Sequence, residues 1–509
     1  MNGQSTGGYH KENTRIARNS VIIYLRMVAI ILIGLVSMRL VLKALGQSDL
    51  GLYDVVAGLI SMLGFISTAM TTTTRRYINI EMGKPDGNPS KVFNILMNIH
   101  IGLAVLILVI AETIGMWYIL NVLNVEPGKL WDAVFVFQVS TIVACAGIIN
   151  IPYQALMEAN EKFGASAFID VATNLVKLGL VCLLFVFEGN LLRFYAVSMS
   201  AVTLLSLFLY HGYCARKWKN VIARRKYSDK ALYREILGFN NYTAISAIAY
   251  IARTHGGKLI VNGFFGTFVN GAFTPAYNLE NFSVMSITRL SNAAAPQITQ
   301  SYAAGSLERS FDLVGKISRF SALVMTLLVG CMLVEMDFIL SIWLEKVPEG
   351  APLLCRWTLI SALVRTFAMG GTQTLEQASG RIKWFHIVNS SMSLACLPLA
   401  ILAYSLGAEP VAIVWIYICY TVIYRFIEFY LMKRLIGFPV GKYLRKAYLK
   451  PFIVLAMVAG FIALYHGVQA PDAGTLARLG GIAITFIFSC AAIFFVGMYS
   501  WERKSLLRL

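Results

Sequence analysis

The feature that most constrains this chain is a rhythm. Apolar runs of about 20 residues follow one another from residue 19 to residue 500, separated only by short polar links. A run of that length crosses roughly 30 Å of hydrocarbon as a helix. Lipid offers no partner to a backbone N–H or C=O, so a spanning run must satisfy its own hydrogen bonds and folds as a helix. Composition matters here for one reason: 57% of residues are hydrophobic and 14% charged, where a soluble chain carries about 25% charged residues. About fourteen runs stand out, at 19–45, 50–74, 92–119, 131–157, 163–187, 191–215, 236–264, 266–300, 312–343, 351–378, 383–406, 410–432, 447–468 and 477–500. The expectation is an all-α integral membrane protein of about 14 transmembrane helices. Residues 1–18 are polar and lack the apolar core and small-residue cleavage site of a signal peptide.

The net charge of +18 invites a nucleic-acid reading, which its distribution excludes. Lys11, Arg15, Arg18, Arg75, Arg76, Lys84, Lys91, the dense run from Arg216 to Arg234, the run from Lys433 to Lys450, and Arg503, Lys504 and Arg508 fall on one side when links are sorted alternately. The other side has only Lys43, Lys129, Arg193, Lys346, Arg356 and Arg478. That is a positive-inside pattern, and it puts both termini in the cytoplasm. A nucleic-acid surface would gather its charge on one folded face. The eight cysteines lie almost all inside apolar runs and form no C-x-x-C pair, so they read as small hydrophobes. No metal site and no cofactor is expected.

The chain also repeats itself. "RLVLKALGQSDLGLY" (Arg39 to Tyr53) aligns with "KLIVNGFFGTFVNGAF" (Lys258 to Phe273) with one inserted residue, matching Gly46 to Gly266 and Gly51 to Gly271. "QALMEANEK" (Gln154 to Lys162) aligns with "QTLEQASGR" (Gln373 to Arg381) at nearly the same offset. The expected plan is two pseudo-symmetric six-helix bundles, 1–215 and 236–435, joined by a basic cytoplasmic linker at 216–235. Residues 436–509 add two further helices and a tail. An even span count inserts both copies the same way round, a transporter design with its substrate site between the halves near the midplane.

Several charges are embedded in the runs. Each costs about 2.5–3.5 kcal/mol at a helix centre even on insertion scales. Depth sorts them. Lys258 and Arg39 lie near outer helix ends and can snorkel, Arg425 has Glu428 at i+3, and Glu112, Asp54 and Glu376 also lie near ends. Arg253 is roughly 15 Å from water on either side. Arg365 and Lys177 sit at span centres, and Arg289 is about as deep. Such groups face a water-filled cavity or a buried acid such as Glu280 or Asp170. Arg26, near the start of its span, is undecided between these readings. The candidate anion-binding residues are therefore Arg253, Arg365, Lys177, Arg289 and Arg26, with Glu280 as a candidate coupling site. Arginine and lysine at depth suit a phosphate-bearing cargo. No P-loop, H-E-x-x-H or G-x-S-x-G motif is present, and no large external loop could house an active site. The chain is expected not to be an enzyme.

"NTRIARNSVIIYLRM" (Asn13 to Met27), "LGQSDLGLYDVVAG" (Leu45 to Gly58), "TTTTRRYINIEMGK" (Thr71 to Lys84) and "IPYQALMEANEKF" (Ile151 to Phe163) resemble the polysaccharide flippases. These are the Wzx-type branch of the multidrug/oligosaccharidyl-lipid/polysaccharide exporter (MOP) superfamily. The resemblance implies two six-helix bundles around a V-shaped cavity. It also implies flipping of a polyprenyl-pyrophosphate-linked oligosaccharide, an O-antigen or capsule repeat unit, from the cytoplasmic to the periplasmic leaflet of a bacterial inner membrane. Expected partners are that lipid-linked cargo, membrane lipid and other polysaccharide-assembly proteins, with nothing demanding more than a monomer. Two alternatives stand beside it: a multidrug exporter of the same superfamily, which would want deep acids, and an integral membrane polymerase or acyltransferase, which would want extended polar outer loops.

Overall fold

A computed structural model of the protein describes residues 5–61, 64–83, 86–160, 162–238, 241–369, 371–469 and 474–506. The side chains of residues 289–296, Arg289 among them, lie outside the described set. Every regular element among the described residues is a helix. Among the described residues ten helices are long and apolar enough to cross a membrane, or eleven if the bent pair Ala351–Phe367 and Thr372–Ser379 forms one span. The chain is a multi-pass helical membrane protein. The sequence count of about fourteen is larger partly because it divides the Val28–Ile60 stretch, which forms one long apolar segment across a backbone break.

Two compact units divide the chain, Met1–Gly271 and Ala272–Leu509. The first contains α1 (Ser5–Ser61), α2 (Gly64–Gly83), α3 (Pro89–Ile110), α4 (Leu130–Ala159), α5 (Phe163–Leu183), α6 (Leu191–Lys217) and the opening part of α7 (Asn241–Ala303). Local chemistry sets the helix starts. Asn88 accepts a hydrogen bond from the Lys91 backbone N–H at 3.0 Å, with Pro89 in the first helical turn, and Asn190 caps α6 through the Arg193 N–H at 3.0 Å. Two cores hold the unit. Val55 and Val56 of α1 pack with Val136 and Phe137 of α4, while Phe93 and Leu96 of α3 pack with Leu156 and Tyr210.

α1 and α7 are each broken by one glycine, Gly46 at φ 78° and Gly266 at φ 75°, a conformation that glycine reaches without steric penalty. Just beyond the breaks the two backbones touch. A Cβ on Gly51 would lie 1.9 Å from the Thr267 carbonyl oxygen, and one on Gly271 would lie 2.1 Å from that of Gln47. Gln47 Nε2 donates to the Phe268 carbonyl at 2.8 Å, and the Ser48 and Thr267 hydroxyls are 3.2 Å apart. The glycines that the sequence repeat aligned thus occupy equivalent places at one crossing.

The second unit is organised around α8 (Leu307–Leu333), whose apolar stretch is the most buried of the spans. Around it lie α9 (Ala351–Met369), α10 (Thr372–Ser379), α11 (Lys383–Ser405), α12 (Ala412–Ile436), α13 (Val440–Ala447), α14 (Leu449–Val468), α15 (Thr475–Ala492) and α16 (Ser500–Leu506). α14 and α15, the two spans with no counterpart in the repeat, pack directly on α8. Small residues allow the approach: Gly330 faces Val458, and Gly497 faces Leu323.

Candidate functional site

The embedded charges of the first unit fall into two groups. In one, Arg26 of α1 pairs with Asp170 of α5. Tyr210 of α6 donates to Asp170 at 2.8 Å, and Ser166 stands 2.9 Å from the Tyr210 hydroxyl. Thr173, Asn174 and Lys177 continue along the same face of α5, at the one- and two-turn spacing that superimposes side chains on a helix. Lys177 is half-buried and has neither an ion-pair partner nor a hydrogen-bond partner among the described residues. An ammonium in that position has lost much of its water with nothing to replace it.

The second group sits where α1 and α7 run together. Lys258 Nζ lies 2.7 and 2.9 Å from the two carboxylate oxygens of Asp54. One turn along α1 from Asp54, Gly58 faces His255, and a Cβ there would meet its Nδ1 at 3.4 Å. The sequence reads Lys258 as snorkelling and Asp54 as close to a helix end, with no link between them. They are each other's partner, and a bidentate ammonium–carboxylate contact explains why both tolerate depth. Arg253, half-buried on the same helix, has its guanidinium 5.7 Å from the centre of the Tyr250 ring.

In the second unit Arg365 and Glu280, the expected cavity cation and the expected coupling acid, form one ion pair at 3.0 Å. Both keep some exposure, 23% and 16%. The placement of the Arg289 side chain is outside the described residues.

A further cluster went largely unread in the sequence. Arg425 is anchored 2.7 Å from Glu428, as its i+3 spacing suggested, but it also donates at 3.2 Å to Thr372 and to the hydroxyls of Tyr443 and Tyr448. Its guanidinium lies 3.9 Å from the centre of the Phe429 ring. Glu376, 8% exposed, is within hydrogen-bond reach of Glu428. Gln373, His386, Asn389 and Tyr424 join these acids around a chamber of about 40 Å³. A space of that size holds about one water molecule. The only signal in the sequence was Arg425–Glu428, because Tyr443, Tyr448 and Glu376 arrive from separate helices.

Two features of this chemistry follow. Embedded carboxylates Asp54, Asp170, Glu280 and Glu428 each face a cation at ion-pair distance. Lys177 faces no such acid among the described residues.

No family model matches the chain, and no curated protein sequence matches it. Solved structures do. The lipid II flippase MurJ in an inward closed conformation aligns with a TM-score of 0.65 at 14% identity, over 97% of this chain and 100% of that one. The MATE multidrug transporter DinF-BH aligns at 0.58 and 13% identity, over 83% of this chain and 95% of that one. A MOP-superfamily transporter from Pyrococcus furiosus, whose reversed binding-pocket polarity suggested a different function, aligns at 0.58 and 14% identity with the same coverage. The fold is therefore the all-helical fold of MOP-superfamily transporters.

Proposed function

We propose that this chain is a membrane flippase for a polyprenyl-pyrophosphate-linked oligosaccharide. It would carry the cargo by alternating access from the cytoplasmic to the periplasmic leaflet of a bacterial inner membrane, with both termini cytoplasmic. The observation that carries the reading is Lys177, an embedded cation without a counter-ion among the described residues, on a polar helix face. A diphosphate supplies the missing charge and acceptors, and charge-assisted hydrogen bonds of that kind are the strong ones. The lipid II flippase among the structural neighbours moves a lipid-linked cargo by name, which supports the same substrate class. The six-helix halves 1–215 and 236–435 are the moving bodies in this reading.

Arg253 adds a second cation for the cargo, Arg26 and Arg289 are kept as further contacts, and Arg365 acts by exchange. Protonation of Glu280 would release the Arg365 guanidinium to the cargo, and deprotonation would take it back. That makes Glu280 the coupling residue of the cycle. Drug export is the competing reading, since multidrug transporters share the fold. It requires embedded acid open to a cationic drug. The Glu376–Glu428 chamber, at about 40 Å³, is far too small for one.

The test is transport by the full chain in proteoliposomes. Lipid-pyrophosphate-linked oligosaccharide is loaded in one leaflet, and its arrival in the other is scored with a membrane-impermeant sugar-cleaving reagent. Cationic dye accumulation is measured in parallel. Flipping of the lipid-linked sugar without dye accumulation is the expected result. Dye accumulation without flipping across a panel of lipid-linked sugars would replace this reading with drug export.

A further inference from the structure

A cavity of about 780 Å³ opens in the second unit, with Tyr443 as a wall shared with the Arg425 cluster, between the first turns of α8, the short helix α13 and the C-terminal helix α16. Arg309 and Lys316 reach it from α8, Lys442 and Lys446 from α13, and Trp501 from α16. Two carboxylates, Glu308 and Asp312, share the lining. Asp312 is already divided between Lys316 at 2.8 Å and Lys446 at 3.3 Å. Arg309 and Lys442 are exposed and have no ion pair or hydrogen bond among the described residues. The cavity thus holds more cationic charge than its own acids neutralise.

Its walls are built rather than incidental. Arg319 and Glu502, 3% and 5% exposed, form a buried ion pair that fastens α16 to α8. Glu502 also accepts from the Tyr499 backbone N–H at 2.7 Å. This holds Trp501 so that Lys316 Nζ lies 5.2 Å from its ring centre. α13 buries Tyr443 and Ala447 and turns Lys442, Arg445 and Lys446 outward, the division of an interfacial helix.

The level of the cavity follows from the chain. α13 immediately precedes the span α14, α16 follows the last span, and Arg309 and Lys316 occupy the opening turns of α8. All three elements leave the hydrocarbon here, where tryptophan also prefers to sit. Leu449 and Phe452, one turn apart at the start of α14, which directly follows α13 in the chain, are 53% and 54% exposed and form an apolar strip. Cations above, an aromatic wall and an apolar strip below match a molecule with a phosphate head and hydrocarbon chains. Basic pockets between spans at this level are suited to anionic head groups.

We propose that this cavity is a binding site for the phosphodiester head group of an anionic membrane phospholipid. Arg309 and Lys442 contact the phosphate, Lys316 and Lys446 exchange Asp312 for it, and Trp501 covers the glycerol. The site lies wholly within the second unit and is independent of the cargo assignment. The bound lipid ties α8, α13 and α16 together.

The test uses the full chain in neutral detergent micelles. Binding of acyl-labelled phosphatidylglycerol and acyl-labelled phosphatidylcholine is followed by fluorescence anisotropy, with glycerol 3-phosphate and inorganic pyrophosphate as soluble competitors. Expected is selective binding of phosphatidylglycerol, weakened roughly thirtyfold in Arg309→Ala/Lys442→Ala, at about a kilocalorie per surface cation. Lys217→Ala/Lys219→Ala, an equally basic exposed pair in the first unit, should bind as wild type. Unchanged thermal unfolding without lipid identifies the loss as one of contacts. If the double variant is unstable, Lys446→Gln with phosphatidylglycerol carries the same prediction at about fivefold. Equal binding of the two lipids, or equal losses in both double variants, overturns the site. Pyrophosphate that displaces the lipid and binds as tightly by itself overturns the lipid assignment in favour of a soluble phosphate ligand.

Discussion

Arg425 and Lys177 are both cations embedded in spanning helices, and they are provided for in opposite ways. Arg425 has a carboxylate, three hydroxyls and an aromatic face around it. Lys177 has no polar partner among the described residues. Both terminal NH2 groups of the guanidinium are taken, with the buried Nε left without a partner among the described residues, so Arg425 is architecture: it joins α12 to α10, α13 and the start of α14. An incomplete set is the mark of a group whose partner arrives from outside. Between them lie the paired charges, Arg26 with Asp170, Lys258 with Asp54 and Arg365 with Glu280. Of these, Arg26–Asp170 and Arg365–Glu280 keep the more exposed cations, 32% and 23%.

The comparison breaks first at Arg425. Arg425→Ala leaves Glu428 and Glu376 facing each other without a cation, and a broken buried pair costs about 3–5 kcal/mol. We expect a large fall in thermal unfolding temperature in detergent. Arg425→Lys should recover only part of it, because an ammonium cannot span the same fork of acceptors. An Arg425→Ala protein as stable as wild type would erase the distinction drawn here.

Gly51→Ala comes next. Its methyl would overlap the Thr267 carbonyl, so α1 and α7 must separate, at about 1–3 kcal/mol for overpacking of this kind. Gly271→Ala should match it, since the crossing is mutual. Gly58→Ala meets His255 only at 3.4 Å and should unfold within a few degrees of wild type. Similar losses at Gly51 and Gly58 would show that the two backbones are not in contact.

Lys177→Met sharpens the contrast. Removing a cation that has no partner deletes a desolvation cost, so stability should hold or rise. Flipping should fall about tenfold or more, the value of one charge-assisted contact. A fall in unfolding temperature comparable to that of Arg425→Ala would place Lys177 among the structural charges.

The smallest effect is expected at Asp229, in the exposed link after α6. Its hydrogen bond with Lys91 and the Leu232 backbone N–H hold its carboxyl below the usual carboxylate range. A depressed folded-state value contributes stability above the ordinary carboxylate range, and that stability is lost as pH falls through the lowered value. The bond is solvated, so Asp229→Asn should remove only a slight acid-side slope from the pH dependence of unfolding.

The membrane fold was legible in the apolar runs because lipid leaves a spanning backbone little choice. The matching of Gly46 to Gly266 and Gly51 to Gly271 was legible too, but only as a repeat: that the first pair turns the backbone through positive φ and the second lets α1 and α7 touch came from the structure. The partners of the charges were legible only as two candidate acids, Glu280 and Asp170, assigned to no particular cation. Depth along a helix measures what an embedded charge costs, and says nothing of which residue relieves it. Lys258 finds Asp54 on a helix that begins at the other end of the chain, and Arg365 finds Glu280 across two helices. Arg425–Glu428 could be read because both lie on one helix face, yet Tyr443, Tyr448 and Glu376 could not.

The most direct measurement is the ratio of initial flipping rates, in proteoliposomes of equal protein content, for Lys177→Met and Lys177→Arg against wild type. Unfolding temperature is read on the same preparations. A cation that waits for the cargo diphosphate predicts a loss of about tenfold or more in Lys177→Met, substantial rescue in Lys177→Arg, and no loss of stability in either. Wild-type flipping by Lys177→Met would contradict the account.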